Sequence, residues 1–269
     1  MPRTGWDVDT RAEIIRAEAV TKRFGKQAAV NNVSYLLREN EVAGIIGSNG
    51  AGKTTFFNLL TGLFPPDEGS IYYKGEDITR MTPQQRVARG LMRTFQLTAT
   101  FDNLSVIDNL VLAFFRAHRN SSMLALLLHT CKSQRNDPKI VEAIETFDLQ
   151  GVRDRLVKNL SLGEKRRLEI AMAVLTEPRV LLLDEPLAGL SESEIQAVLG
   201  VLRQRIGRQT ILIVEHKISH VEDFLERLTV MHEGQVIADG GYEETLNHPE
   251  VRRSYWQIDV AAEQGAVLA

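Results

Sequence analysis

The sequence has little of several features that would each indicate a particular class of protein. It contains one cysteine, Cys131, so an intrachain disulfide is excluded and a reducing compartment is favoured. The longest apolar run, Met123–Leu128, is far too short to span a bilayer. The first residues include Asp7, Asp9 and Glu13 without an apolar segment, which argues against a signal peptide. These absences predict a soluble chain, or one that other proteins hold at a membrane.

The chain also lacks a strong charge bias, internal repeats and sustained heptads. Its formal net charge of -3 at pH 7 argues against binding driven by bulk electrostatics, so we expect no nucleic-acid partner. Hydrophobic residues make up 43% and charged residues 25%, which is typical of a globular protein with an ordinary packed core. The 269 residues allow one large domain, or one domain with a sizeable subdomain.

The strongest positive feature is a glycine-rich run that matches G-x-x-x-x-G-K-[ST] at every fixed position. Val42–Ile46 predicts a buried strand before this run, and Thr55–Leu60 predicts a helix after it that stops at Gly62. In such a loop, backbone N–H groups and the helix N-terminus surround phosphates. Lys53 would reach the β- and γ-phosphates of ATP, and the Thr54 hydroxyl would hold Mg2+. The predicted phosphate cradle consists of Gly47, Ser48, Asn49, Gly50, Ala51, Gly52, Lys53, Thr54 and Thr55.

Apolar patterning predicts how the rest of the chain is organised. From about residue 98 to 159, Ile107 and Leu110 lie at helical spacing, as do Ile140 and Ile144, which indicates an inserted helical subdomain. After it, helices and strands alternate, which predicts a mostly parallel sheet with helices on both faces.

The predicted fold class is therefore α/β. We expect a P-loop (RecA-like) core with a mostly parallel sheet, an antiparallel β subdomain and the inserted helical subdomain. A single domain is predicted for residues 14–255, and residues 1–13 and 256–269 are expected to be flexible termini.

An apolar strand that ends in two acids predicts the second half of a nucleotide site. Val180–Leu183 reads as a strand buried on both faces, followed by Asp184 and Glu185. Asp184 can complete the Mg2+ shell beside Thr54, and Glu185 can act on an attacking water as general base. In isolation this stretch would be interpreted as an acidic cap at a strand end, but its combination with the glycine loop favours function.

Two isolated polar residues follow other predicted strands. His216 comes after Ile211–Val214 and can reach a γ-phosphate, although a lone histidine is more often structural. Gln96 comes after Arg93-Thr94-Phe95 and could bind Mg2+ or water and report the nucleotide state to the helical subdomain. Spacing alone leaves the functional and structural interpretations of both residues open.

The run Ser161-Leu162-Gly163-Glu164 predicts a capping box, in which Ser161 caps a helix and Glu164 reaches back. A glycine-bearing helix N-terminus is also an anion site, so a binding role is compatible with the cap. Lys165, Arg166 and Arg167 follow, and we expect them to form a solvated face, with partner contact as the alternative.

Taken in order, these motifs resemble those of an ABC transporter ATP-binding subunit over about Ile14 to Tyr255. The resemblance implies that Phe24 stacks on adenine, Gln96 is the Q-loop glutamine, Glu185 the catalytic base and His216 the switch histidine. It also implies a head-to-tail dimer with a second, identical or different ATP-binding subunit. In that dimer Ser161 and Gly163 would contact the γ-phosphate bound to the partner, and the helical region would receive a permease segment.

Two positions depart from the family pattern. The usual LSGGQ signature is here Leu160-Ser161-Leu162-Gly163-Glu164, which replaces a glycine by Leu162 and introduces an acid. The loop after the acidic strand carries Ser191 where the family usually has aspartate. These departures put signalling across the dimer in question and suggest a partner ATPase with complementary motifs.

Within the family the chain resembles importers of branched-chain amino acids and related amides. That likeness rests on Arg93-Thr94-Phe95-Gln96, Arg167-Leu168-Glu169-Ile170-Ala171, Ala188-Gly189-Leu190 and the long helical insertion. It implies permease subunits, indirect action with a periplasmic binding protein, and a peripheral position on the cytoplasmic face of the inner membrane. Urea or short amides remain alternative substrates, and a lipopolysaccharide-export ATPase is a more distant fit. A non-transport ABC ATPase and a P-loop metabolite kinase are the competing functions.

Overall fold

The structure is a computed structural model that describes residues 10–94, 100–118, 131–215 and 220–254. Within these ranges the chain forms two β-sheets with helices packed around them. The strands are β1 (Glu13–Phe24), β2 (Gln27–Arg38), β3 (Val42–Gly47), β4 (Glu68–Tyr73), β5 (Glu76–Asp77), β6 (Leu91–Arg93), β7 (Val180–Asp184), β8 (Thr210–Val214), β9 (Arg227–His232) and β10 (Gln235–Gly240). The helices are α1 (Lys53–Thr61), α2 (Pro83–Ala88), α3 (Val106–His118), α4 (Pro138–Thr146), α5 (Leu162–Leu175), α6 (Glu192–Arg203), α7 (Tyr242–Leu246) and α8 (Pro249–Ser254), with 3-10 turns at Cys131–Asn136, Gln150–Val152, Val157–Asn159 and Glu222–Phe224.

The larger sheet has six strands in the order β10-β9-β3-β8-β7-β6. β3 pairs in parallel with β8 and β9, and β7 pairs in parallel with β8 and β6. Among the strands that the structure describes in this sheet, β10 alone runs antiparallel, against β9. The predicted mostly parallel sheet is therefore confirmed. The carboxyl ends of its parallel strands share one edge, which is where sheets of this type bind ligands.

The central strands are apolar throughout because they separate two hydrophobic cores. Along β7, Leu181 and Leu183 face the core that contains α3, α4, α5 and α6. Val180 and Leu182 alternate with them and face the core that contains α1 and the antiparallel sheet. Since successive side chains of a strand point to opposite faces, a strand with a core on each face needs a continuous apolar run.

The smaller sheet is antiparallel, in the order β2-β1-β4-β5, and covers one side of α1. Its two long strands, β1 and β2, pair as one antiparallel hairpin. Tyr35 of β2 lies edge-on to Phe56 of α1, with ring centroids 5.5 Å apart. This packing sets α1 between the two sheets and so places the helix start at the edge of the parallel sheet.

The described part of the predicted insertion is helical, as expected. α3, α4 and α5 pack in one core, and Arg135 pairs with Asp108 at 2.7 Å. The bounds of the subdomain and of the single domain stay predictions, because residues 98 and 255 lie outside the described ranges. Among the described helices, none is both long and apolar enough to cross a membrane.

Candidate active site

The glycine loop between β3 and α1 has the tight backbone turns that its sequence predicts. Gly50 and Gly52 have φ values of 82° and 99°, in the left-handed region that favours glycine. A Cβ at Gly52 would collide with the Ala29 carbonyl oxygen of β2. On the other side, the Gly234 N–H donates to the Ala51 carbonyl at 3.0 Å. The loop is thus braced by β2 and by the turn between β9 and β10.

Lys53, the first residue of α1, directs its ammonium group into this loop. The Nζ atom donates to the carbonyl oxygens of Gly47 at 2.7 Å and Ser48 at 3.0 Å. Burial lowers the pKa of Lys53, while the charges of Glu185 and Asp184 oppose that shift. The ammonium group is held by neutral carbonyl oxygens and lies near two acids. It is therefore suited to exchange the carbonyl oxygens for phosphate oxygens.

A cleft of about 330 Å³ opens beside the loop. Phe24, at the end of β1, is 53% exposed there, and its ring stands edge-on to Phe64 at 5.7 Å. An exposed ring that is held by a second ring offers a flat face for stacking. The cleft is lined by Phe24, Gln27, Ala29, Asn49, Gly50, Ala51, Gly52, Lys53, Thr54, Thr55 and Glu185.

Gln27 and Ala29 are lining residues that the sequence reasoning missed. Both lie on β2, opposite the glycine loop, and the antiparallel sheet brings them there. No local motif marks them, because their position depends on how the two sheets pack.

Asp184, at the end of β7, has a relative exposure of 0% and forms a buried ion pair with Arg93. Arg93 Nη2 donates to Asp184 Oδ2 at 2.6 Å, and Arg93 Nη1 donates to Asn58 Oδ1 of α1 at 2.5 Å. Asp184 Oδ1 accepts no hydrogen bond from the described part of the chain. Arg93 therefore orients the carboxylate through Oδ2, and Oδ1 is left to contact a ligand.

Glu185 follows Asp184 and lines the cleft. Its φ value is +48°, a left-handed conformation that is uncommon for a residue with a side chain. Its N–H donates to the Val214 carbonyl at 2.9 Å, which ties the turn to β8. The chain thus bends sharply at the strand end, and Glu185 lines the same cleft as Lys53.

The capping box at the start of α5 is confirmed. The Ser161 hydroxyl accepts from the Glu164 N–H at 3.2 Å, and Glu164 Oε2 accepts from the Ser161 N–H at 2.6 Å. Glu164 is therefore turned back to its own helix end. Ser161 and Leu162 are exposed, Leu162 at 66%, and neither Ser161 nor Gly163 is among the residues that line the cleft.

The predicted solvated face after this box is wrong for two of its three residues. Arg166 and Arg167 are each only 8% exposed. Arg166 donates to the carbonyls of Asp184, Glu185 and Pro186, and Arg167 pairs with Asp148 at 2.9 Å. Because these arginines stand in a charged run, the sequence predicts that they are exposed to solvent. Instead, α5 packs their side chains against the end of β7 and the turn after α4.

The described residues fit a nucleotide with Mg2+. The open space beside Gly50 leaves room for phosphates, and Lys53 supplies a cation. The unpartnered Asp184 Oδ1 is a hard oxygen ligand of the kind that Mg2+ prefers. Gln96 and His216 lie outside the described residues, so their predicted positions are not tested.

Comparison with known proteins agrees with this geometry. The family model described as ABC transporter matches residues 30–188, more than half of the chain. The chain is 36% identical over 249 residues to the high-affinity branched-chain amino acid transport ATP-binding protein BraF of Pseudomonas aeruginosa, covering 90% of this chain and 97% of that protein. This chain belongs to the ABC transporter family.

Two further similarities extend the comparison. The lipopolysaccharide export system ATP-binding protein LptB of Haemophilus influenzae is 36% identical over 246 residues, covering 90% of this chain and 96% of that protein. A crystal structure of the ADP conformation of an ATP-binding cassette of an ABC transporter superposes with a TM-score of 0.72 at 31% identity, covering 91% and 99% of the two chains. This ABC protein is therefore a nucleotide-binding cassette with ATPase activity, and the predicted fold class is confirmed.

Proposed function

We propose that this ABC cassette is the ATP-hydrolysing subunit of an importer for branched-chain or related amino acids. The observation that carries ATP hydrolysis is the shared cleft, which brings Phe24, the glycine loop and Glu185 together although they are far apart in sequence. An aromatic platform, a phosphate cradle and a carboxylate in one cleft are the parts that nucleotide hydrolysis requires.

In this proposal each part has a separate role. Phe24 stacks on adenine, while the loop N–H groups and Lys53 bind the β- and γ-phosphates. Glu185 accepts a proton from the attacking water as general base. Thr54, Asp184 and Gln96 would hold Mg2+, which would neutralise charge that develops on the phosphates. His216 is proposed to contact the γ-phosphate and position the water.

The start of α5, where Ser161 and Leu162 are exposed and Gly163 is buried, supports the proposal of a second ATP-binding subunit. Ser161 and Gly163 lie outside the cleft of their own chain, at a helix N-terminus that favours anions. We propose that they cover the nucleotide bound to an identical or different partner. In the capping box the Glu164 carboxylate accepts from the Ser161 N–H, and Arg155 lies 3.5 Å from it and offsets part of its charge.

The transport role places the cassette on the cytoplasmic face of the inner membrane through permease subunits. A periplasmic substrate-binding protein would act with it indirectly. Overall identity does not select the cargo, because an amino-acid transport protein and a lipopolysaccharide export protein are each 36% identical. The Arg93–Gln96 and Arg167–Ala171 motifs and the long helical insertion support the amino-acid reading.

A pull-down from native membranes with the Glu185→Gln variant and ATP tests this proposal. We expect permease subunits and a second ATP-binding subunit, with loss of most hydrolysis and retention of ATP binding. Lys53→Ala is the matched control, because removal of the phosphate countercharge should abolish ATP-dependent capture. Recovery of ribosomes or repair factors alone would contradict the transport function. Separately, the cargo would be identified by measuring uptake of labelled leucine, urea and short amides in a deletion strain.

A further inference from the structure

Arg166 connects the start of α5 to the backbone that carries Glu185. Its Nη2 atom donates to the carbonyl oxygens of Asp184 and Glu185, both at 2.5 Å. Its Nε atom donates to the Pro186 carbonyl at 3.3 Å. Three consecutive carbonyls at the end of β7 therefore share one buried guanidinium group.

A carboxylate on the same helix orients that guanidinium group. Arg166 Nη1 donates to Glu169 Oε2 at 3.0 Å, and Glu169 is 7% exposed. A planar fork that is fixed at one end presents its remaining donors in a fixed direction. The side chain of Arg166 is thus prearranged toward the turn after β7.

The turn that Arg166 contacts has an unusual backbone. Glu185 adopts the left-handed region, and its carbonyl accepts from the Ala188 N–H at 3.2 Å as well as from Arg166. The direction of a carbonyl fixes the orientation of the adjoining peptide planes. Restraining the carbonyls on either side of the Glu185 Cα therefore restrains the direction of its side chain toward the cleft.

The start of α5 contacts the segment after Glu185 at two more places. A Cβ on Gly163 would lie 2.5 Å from Glu194 Oε1, and a Cβ on Gly189 would lie 2.8 Å from Leu162 Cδ2. The segment from Glu185 to Glu194 is therefore packed against the same helix turn that carries Ser161. Arg166 is the charged contact in this interface that reaches Glu185 itself.

We propose that Arg166 is a positioning residue that holds Glu185 in its hydrolytic orientation and links that orientation to the first turn of α5. This inference rests on the proposed role of Glu185 as general base. A displacement of α5 by a partner would be transmitted to Glu185 through the Arg166 guanidinium group. A lysine at this position carries the charge but lacks the fork that spans successive carbonyls.

The test compares steady-state ATP hydrolysis by the full chain carrying Arg166→Gln, Arg166→Lys or Arg167→Gln. Arg167 is the matched control, because it is adjacent and equally buried but pairs with Asp148 at 2.9 Å and Glu194 at 3.6 Å, away from the three carbonyls that Arg166 contacts. We expect Arg166→Gln to lower kcat by about tenfold to a hundredfold, the range that misplacement of a reacting group can cause. KM for ATP and the dissociation constant for ADP should stay within about twofold, because binding groups are unchanged.

Turnover is expressed per nucleotide site counted by ADP titration, so that partial unfolding is not read as slow chemistry. Arg166→Lys should give an intermediate kcat and serves if Arg166→Gln does not fold. Wild-type kcat in both Arg166 variants, or the same loss of kcat in Arg167→Gln, would overturn the inference. Glu185→Gln is measured in parallel. Wild-type turnover in Glu185→Gln would refute the assignment of Glu185 as general base. An inactive Glu185→Gln variant together with fully active Arg166 variants would refute the positioning role of Arg166 alone.

Discussion

Arg93 Nη2 lies 2.6 Å from Asp184 Oδ2, and this buried ion pair joins the last residues of two neighbouring parallel strands. Arg93 ends β6 and Asp184 ends β7, so the charges meet at the sheet edge where the glycine loop also lies. Arg93 also reaches Asn58 of α1. The acid proposed to hold Mg2+ is thereby tied both to the helix after the glycine loop and to the strand before Gln96.

Arg93→Met should destabilise the fold strongly. It leaves the Asp184 carboxylate buried without its cation, a change that costs about 3–5 kcal/mol in comparable pairs. Urea unfolding measures the loss, and Arg93→Met combined with Asp184→Asn is the control. The double variant should recover much of the stability, because the uncompensated charge is gone. If the double variant lost as much stability as Arg93→Met and Asp184→Asn together when measured singly, the importance of the pair would be contradicted.

Arg86→Met should also lower stability, through the helix that follows the glycine loop. Arg86 is 1% exposed and donates to the carbonyls of Leu59 at 2.7 Å, Leu60 at 2.8 Å and Ile78 at 2.6 Å. Its removal takes the donor from the Leu60 carbonyl near the end of α1, whereas the Leu59 and Ile78 carbonyls still accept from the N–H groups of Gly62 and Met81. A buried unpaired group costs about 1–3 kcal/mol.

Arg89→Met is the matched control for Arg86, because Arg89 is close by but forms an exposed pair with Glu76. An exposed pair of this kind contributes about 1 kcal/mol or less. Thermal and urea unfolding of the two variants provide the comparison. Equal losses in both would show that burial of Arg86 has no special weight.

Phe24→Ala should weaken ATP binding without loss of the fold. The ring is exposed at the cleft, and stacking of an aromatic side chain on a base contributes about 1–3 kcal/mol in other nucleotide contacts. Calorimetric titration with ATP measures the change. Leu63→Ala is the control, because Leu63 is similarly exposed but does not line the cleft. Unchanged ATP affinity in Phe24→Ala would remove Phe24 from the adenine site.

Asp67 should titrate below its ordinary range. A hydrogen bond from Lys22 at 2.8 Å and another from the Arg23 N–H at 2.7 Å lower the pKa of its carboxyl group. Since the pKa is lower in the folded state, the contribution to stability is present above the unfolded value and is lost as pH falls through the folded value. Carboxyl NMR titration measures this, and Lys22→Gln should raise the pKa. An ordinary pKa in the unsubstituted chain would contradict the contact.

Several structural features could be predicted from the sequence because their causes are local. The apolar run before Gly47 requires a buried strand, and Gly62 ends α1 in the left-handed conformation that the sequence predicts for a stop. The Ser161–Glu164 capping box needs only residues of one helix turn. Val180–Asp184 is uniformly apolar up to its acid, and such a run specifies a central strand.

Other features depend on residues that are distant in sequence. Arg166 and Arg167 look like a solvated charged run, yet both are buried because α5 packs against the end of β7 and the turn after α4. Gln27 and Ala29 enter the cleft because the β1–β2 hairpin lies against the glycine loop. No spacing rule relates these residues, since sheet and helix packing alone determine their distances.

The sequence alone therefore established the family of motifs, the α/β class and the phosphate loop, because each follows from nearest-neighbour chemistry and periodicity. It also named Asp184 and Glu185 as the acids of interest. The tertiary packing determined which arginines lie beside those two residues. Arg93 donates to the Asp184 carboxylate, and Arg166 donates to the backbone carbonyls around Glu185. The physical reason is that a buried charge needs a partner, and its partner is selected by the fold from anywhere along the chain.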